Sequence, residues 1–216
     1  SAASDVYKRQ GVVYDDDERY ELTWVGKKQA IREVAHPIRK TLRPCPEESR
    51  NWEQTQNLYI EGDNLDAMKL LKKSYAGKVD VIYIDPPYNT GKDFIFNDTF
   101  ALSQEESDEK QGRYNEEGQR LFQNTEANGK FHSDWCSMMY ARLMLARTLL
   151  NDNGIIFISI DDHELANLIK IGNEVFNASN FIDVFNWAKT ETPENLSKKS
   201  KQIIEYIVCY QTVSYT

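Results

Sequence analysis

An α/β fold on a mixed, mostly parallel open sheet is what this sequence predicts, and three observations carry that reading. Val79-Asp80-Val81-Ile82-Tyr83-Ile84 is a short, β-branched apolar run of the kind that forms a buried parallel strand. Ahead of it, residues 57–73 read as strand, turn and helix. Behind it, a helical pattern from Ser133 leads into a second apolar strand, Ile155 to Ile160.

The elements follow in order. Ser1 to Gln10 has no pattern that builds an element, and Trp24 to Leu42 is readable as a helix or a hairpin with a basic face. Residues 1–56 are therefore expected to be an N-terminal extension, partly irregular, and 57–216 a partial α/β domain. Asn57 to Ile60 suggests a short strand. Gly62 and Asp63 turn the chain into a helix from about Asn64 to Lys73, whose Leu65, Met68 and Leu71 share one face. A helix from Ser133 places Trp135, Met139, Leu143, Ala146 and Leu150 on a core-facing stripe, with Asn153-Gly154 as its stop. After Ile160, Asp161 and Glu164 stand at capping-box spacing. Phe181–Trp187 and Ile203–Tyr210 read as an antiparallel pair joined by a polar, Lys-rich segment. The long polar stretch after Phe100 lacks the period of any element and is readable as a flap or a plain insertion.

Chemistry concentrates at the end of the first apolar strand, where DPPYNT spans Asp85 to Thr90. The carboxyl end of a strand is where open α/β sheets bind ligands. Asp85 supplies a carboxylate acceptor. Pro86 and Pro87 fix φ near about −65° and so hold the backbone carbonyls at a set angle. Tyr88 adds a flat aromatic face beside those acceptors, an arrangement suited to a planar group that bears an NH₂, such as a nucleobase extruded from its stack. The plain alternative is turn chemistry that merely ends a strand. Asp63 is placed to cap its helix, a common role for Asp at this position.

Three blocks then resemble one family. Residues 57–100, with NLYIEGDN and VDVIYIDPPYNTGKDFIFNDTF, residues 133–164, and residues 186–210 are similar, in order, to the adenine-specific DNA methyltransferase subunits of type III restriction-modification systems. These are beta-type amino methyltransferases, in which the catalytic DPPY motif precedes the target-recognition region and the glycine motif of the cofactor. The resemblance implies a Rossmann-like, circularly permuted S-adenosylmethionine-dependent methyltransferase fold, here incomplete. No glycine of the chain stands in a G-x-G arrangement. The family order puts that motif beyond Thr216, so half a cofactor site and no activity of this segment alone are expected.

It further implies transfer of methyl to adenine N6 in duplex DNA, with Asp85, Pro86, Pro87 and Tyr88 as catalytic residues and Asp63, Asn64, Asp85 and Pro86 at the cofactor. Asn89, Lys92, Lys189, Lys198 and Lys199 are candidate nucleic-acid contacts, although a Lys-rich run is equally readable as solvated surface. A homodimer and a restriction subunit are the implied partners. An N4-cytosine methyltransferase is the alternative within the class, less favoured because such enzymes more often carry SPPY. A non-catalytic DNA-binding or assembly fragment is the alternative outside it.

Composition sets limits. The formal charge of −8 excludes a surface that is basic all over, so phosphate contacts must be local. Cys45, Cys136 and Cys209 form neither a CxxC pair nor a ligand cluster, which suggests reduced thiols in a cytoplasm and no metal site.

Overall fold

The computed structural model describes residues 21–91, 94–96, 113–114, 120–125, 127–188 and 204–212. Four helices and two sheets are found among them. Helix α1 spans Lys27–Ala35, α2 Asn64–Tyr75, α3 Phe131–Leu149 and α4 Leu165–Phe176. The main sheet contains β1 (Val79–Ile84), β5 (Leu150–Ile160), β6 (Phe181–Ala188) and β7 (Ile204–Gln211), in the order β1-β5-β7-β6. A small second sheet joins β2 (Phe94–Phe96), β4 (Arg120–Gln123) and β3 (Arg113–Tyr114). No helix among the described residues is long and apolar enough to cross a membrane.

The α/β class and the mixed sheet hold, but "mostly parallel" does not. Only β1 runs parallel to its neighbour β5, whereas β5 with β7 and β7 with β6 are antiparallel. The reason is connectivity: β6 follows α4 and returns through β7 as a hairpin-like pair, which needs no crossover helix.

One face of the sheet packs on α3 and α4. Ile156, Ile158 and Ile160 of β5 and Val208 and Tyr210 of β7 are essentially inaccessible, and they join Leu143, Leu145, Leu168 and Ile171 of the two helices in one core. Helix α1 belongs to the same core through Ala30. Its docking is polar as well: Trp24 Nε1 donates to Ser137 Oγ at 2.9 Å, and Lys27 pairs with Glu174 at 2.7 Å.

Several expectations are corrected. Residues 57–60 are not a strand, and Leu58 and Tyr59 are exposed. Apolar, β-prone residues need a neighbouring strand to pair with, and none among the described residues takes these. Asn153-Gly154 does not stop α3. The helix ends at Leu149, and both residues lie within β5, where a Cβ on Gly154 would sit 2.9 Å from Leu150 Cβ. Asp161 and Glu164 do not form a capping box: Asp161 accepts from the His163 backbone N–H at 3.0 Å, while the Glu164 side chain turns inward. The polar stretch after Phe100 contributes the short strands β3 and β4, and most of its remainder lies outside the described residues.

Candidate active site at the carboxyl end of β1

Where β1 ends, the register sets Ile84 beside Ile158 of β5, so the next pair along is Asp85 and Ser159. Ser159 Oγ donates to Asp85 Oδ1 at 2.5 Å and lies 3.3 Å from the Ile84 carbonyl oxygen. Ser159 is buried and Asp85 is exposed. The carboxylate is thus held at one oxygen by a fixed hydroxyl and presented outward.

Pro86 is buried, and Pro87 accepts a 2.7 Å hydrogen bond from Trp135 Nε1 at its carbonyl. Trp135 is fully buried in the second turn of α3. Tyr88 is half-buried, and its phenol is held above the usual 10.0, first by burial, with the nearby Ser159 side chain opposing, and then by the negative charges of Glu205 and Asp85 and by Tyr83. The ring therefore stays neutral. Glu205, the second residue of β7, stands opposite Trp187 of β6, so the site gathers the carboxyl ends of β1 and β5 and the amino end of β7.

Asp63 caps α2, its Oδ1 accepting from the Asp66 backbone N–H at 2.8 Å. Asn64 is exposed, and its Oδ1 accepts from Arg142 Nε at 2.8 Å. Arg142 is itself buried in α3 and also donates to the Met138 carbonyl. Trp135 and Arg142 are two helical turns apart on one face of α3. That helix consequently braces both the DPPY loop and the start of α2, the two segments that carry the predicted catalytic and cofactor residues.

Asn89 requires a correction. It was expected to face nucleic acid, yet its side chain is wholly buried. Asn89 Nδ2 donates to Glu164 Oε1 at 2.5 Å, and its Oδ1 accepts from Asn124 Nδ2 at 2.8 Å. Its backbone is left-handed, with φ 62°, a conformation Asn tolerates better than most residues. Lys92, Lys189, Lys198 and Lys199 lie outside the described residues. Trp187 is exposed on β6, and Tyr206 packs against the core.

Sequence reasoning did not find Ser159, Trp135, Arg142 or Glu164. Two left a signal. Ser159 is the lone hydroxyl in IIFISI, and Arg142 is a charge within an otherwise apolar helical segment. Asp161, Asp162 and His163 bring ligand-type atoms within 4.8 Å of one another, a closeness that adjacency in the chain alone provides.

Residues 79–215, from β1 through β7, match the DNA methylase family, and the chain belongs to that family. Its relatives narrow the class. Over 186 residues it is 42% identical to the Mod subunit of the type III restriction-modification enzyme EcoPI from Escherichia phage P1, a match covering 83% of this chain and 27% of that one. Over 198 residues it is 38% identical to the EcoP15I Mod subunit of Escherichia coli, covering 88% and 30%. The resemblance to type III subunits holds, and the chain spans less than a third of the length of these curated relatives. Among solved structures, the cytosine-N4-specific PvuII DNA methyltransferase aligns with a TM-score of 0.41 at 13% identity, over 69% of this chain and 48% of that one.

Proposed function

We propose that the full-length protein carrying this chain is an S-adenosylmethionine-dependent DNA methyltransferase that modifies adenine N6 in duplex DNA, as the modification subunit of a type III restriction-modification system. One observation carries the reading: an exposed carboxylate, Asp85, is fixed by a buried hydroxyl close to a half-buried, neutral tyrosine ring at the carboxyl end of β1, within the segment that matches the DNA methylase family.

The residues present suit both reactants. Asp63 uses one of its two carboxylate oxygens as a helix cap, and Asn64 is exposed beside it, a donor and acceptor set that fits the polar groups of an adenosyl moiety. S-adenosylmethionine, when bound, supplies an electrophilic methyl group on sulfur. The remaining work falls to the chain. The exocyclic nitrogen of adenine is a poor nucleophile because its lone pair is delocalised into the ring. Asp85 and the carbonyl of Pro86 accept its two hydrogens, which favours a pyramidal nitrogen and localises the lone pair. Ser159 keeps the Asp85 carboxylate oriented, so little reorganisation is needed as positive charge grows on the nitrogen. Tyr88 stacks on the extruded base and offsets part of an unstacking cost of a few kcal/mol.

Residues 57–216 form part of the catalytic unit in this reading, with 1–56 as an extension whose helix α1 buttresses α3. The Mod subunits named above support a restriction subunit as partner. In this reading the protein is a cytoplasmic homodimer. Lys92, Lys189, Lys198 and Lys199 are the basic residues assigned to DNA phosphates.

The test is Asp85→Ala in the full-length protein, assayed by tritiated methyl transfer to duplex DNA. Turnover should fall by at least about 10²-fold, the scale of losing an electrostatic stabiliser at the reacting atom. Retained turnover would remove the role given to Asp85, and digestion of the methylated product separates N6-methyladenine from N4-methylcytosine.

A further inference from the structure

Tyr88 lies between two tethered neighbours. Pro87 is held through its carbonyl by Trp135, and Asn89 is held through its side chain by Glu164. Glu164 is wholly buried at the junction of β5 and α4, and both of its carboxylate oxygens are occupied. Oε1 meets Asn89 Nδ2 at 2.5 Å and His132 Nδ1 at 2.6 Å, while Oε2 accepts from Asn167 Nδ2 at 2.7 Å. A buried carboxylate is costly unless such donors surround it, so the group is not there as filler. Its contacts link three segments: the loop after β1, the first turn of α3 through His132, and the first turn of α4 through Asn167. Asn124 closes the other side by donating to Asn89 Oδ1 and, at 2.7 Å, to the Phe131 carbonyl.

We infer that Glu164 and Asn89 form a buried lock that positions Tyr88 for the base, making Glu164 a positioning residue for methyl transfer. The inference rests on the methyltransferase reading above. Neither residue touches a reacting atom. The lock acts by fixing the left-handed turn at Asn89, and through it the placement of the preceding tyrosine ring. Misplacement of a positioned group by about 1 Å can cost on the order of 10²-fold in rate, so a loosened turn should be visible in turnover.

Glu164→Gln is the informative change in the full-length protein. It preserves volume but sets an amide NH₂ against one of the surrounding donors, in whichever orientation the amide takes. The expected result is a fall in kcat of about 10-fold or more, with the KM for S-adenosylmethionine altered by less than about two-fold. Asn89→Gly is the second variant, since glycine keeps the left-handed backbone while removing the contact. It should show the same split, and the double variant should be no slower than the slower single one, because each change breaks the same lock. If Glu164→Gln does not fold, Asn89→Gly decides alone. Wild-type kcat in the folded variants, or additive losses, would overturn the lock. Asp85→Ala, run alongside, separates the two ideas: turnover retained there defeats the methyltransferase assignment of Asp85, whereas loss there with normal rates in the lock variants defeats only the lock.

Discussion

The two faces of the main sheet are built from similar residues and live in different surroundings. On the face toward α3 and α4, the row Ile84, Ile158, Val208, Val184 runs through the core, and Ile158 and Val208 have no accessible surface. On the opposite face, Val81 is 56% and Tyr83 60% exposed, and Phe185 and Trp187 of β6 are exposed too. Asp85 and Ser159 continue that second face at its upper end. At the edge strands β1 and β6, burial follows the presence of a covering helix layer rather than the hydrophobicity of the strand. The candidate site sits where the uncovered face meets the loops at the strand ends.

The covered face offers the sharpest test. Gly172 of α4 lies so close to Tyr210 that a Cβ would stand 2.6 Å from its Cε2. Alanine in a helix interior is ordinarily favoured over glycine by about 1 kcal/mol. Here the ring would have to move, straining its stacking on Phe176 and its hydroxyl contacts with the Ile169 carbonyl at 3.0 Å and Asn173 at 2.9 Å. Gly172→Ala should therefore destabilise by about 3 kcal/mol, toward the upper end of overpacking costs, as read from the urea midpoint. A neutral or stabilising result would mean that the helix and sheet are not packed as described.

A smaller and more direct comparison uses one isosteric substitution on each face. Val208→Thr buries a hydroxyl in the core and should cost about 1–2 kcal/mol. Val81→Thr keeps the β-branched shape on the exposed face and should change stability by no more than about 0.5 kcal/mol. Equal costs would show that the outer face is covered in solution, and size-exclusion chromatography would then show whether a second copy covers it.

The same contrast explains what the sequence made legible. VDVIYI declares a strand because its residues are apolar at nearly every position, and that pattern suits a strand covered on both sides. Local pattern says nothing about which layer arrives, so the exposure of Val81 and Tyr83 could not be read from it. Helices α2 and α3 and the pair β6/β7 were legible because each has a period or a turn of its own. The direction of β7 relative to β5 depends on a non-local pairing, which hydrophobic period does not encode. At the site, DPPY was visible as a motif, whereas its supports were not. The indole N–H of Trp135 is invisible when tryptophan is read as core packing, and Glu164 was absorbed into a capping pattern that its spacing happened to satisfy. Asn89, a polar residue next to a ligand-binding motif, invites a surface role, and only the fold shows that it turns inward to Glu164.

The smallest expected effect lies in the alkaline range and again samples both sides of the sheet. Cys136 belongs to α3, while Cys209 lies on β7 in the row of Tyr83 and Phe157, and both are buried. Burial pushes the Cys136 thiol from 9.0 up to about 12, with the negative charge of Glu164 adding to the shift and Lys170 opposing it. The Cys209 thiol rises to about 11, through burial and then through Asp183. Below pH 9.0 both thiols are protonated in folded and unfolded chains alike, and their contribution to stability is fully present. As pH rises past 9.0 the unfolded thiols ionise first, the unfolded state gains, and stability falls until the folded groups also titrate near about 11 and about 12. Tyr88, Tyr140 and Tyr210, raised above 10.0 mainly by burial, add their own losses only from that higher pH. A window between about pH 9 and about pH 10 therefore isolates the thiols. There the urea midpoint should decline with pH in the native chain and stay nearly level in a Cys136→Ala/Cys209→Ala variant. An equal decline in both would show that the alkaline sensitivity arises elsewhere and that the thiols are hydrated on both sides of the sheet.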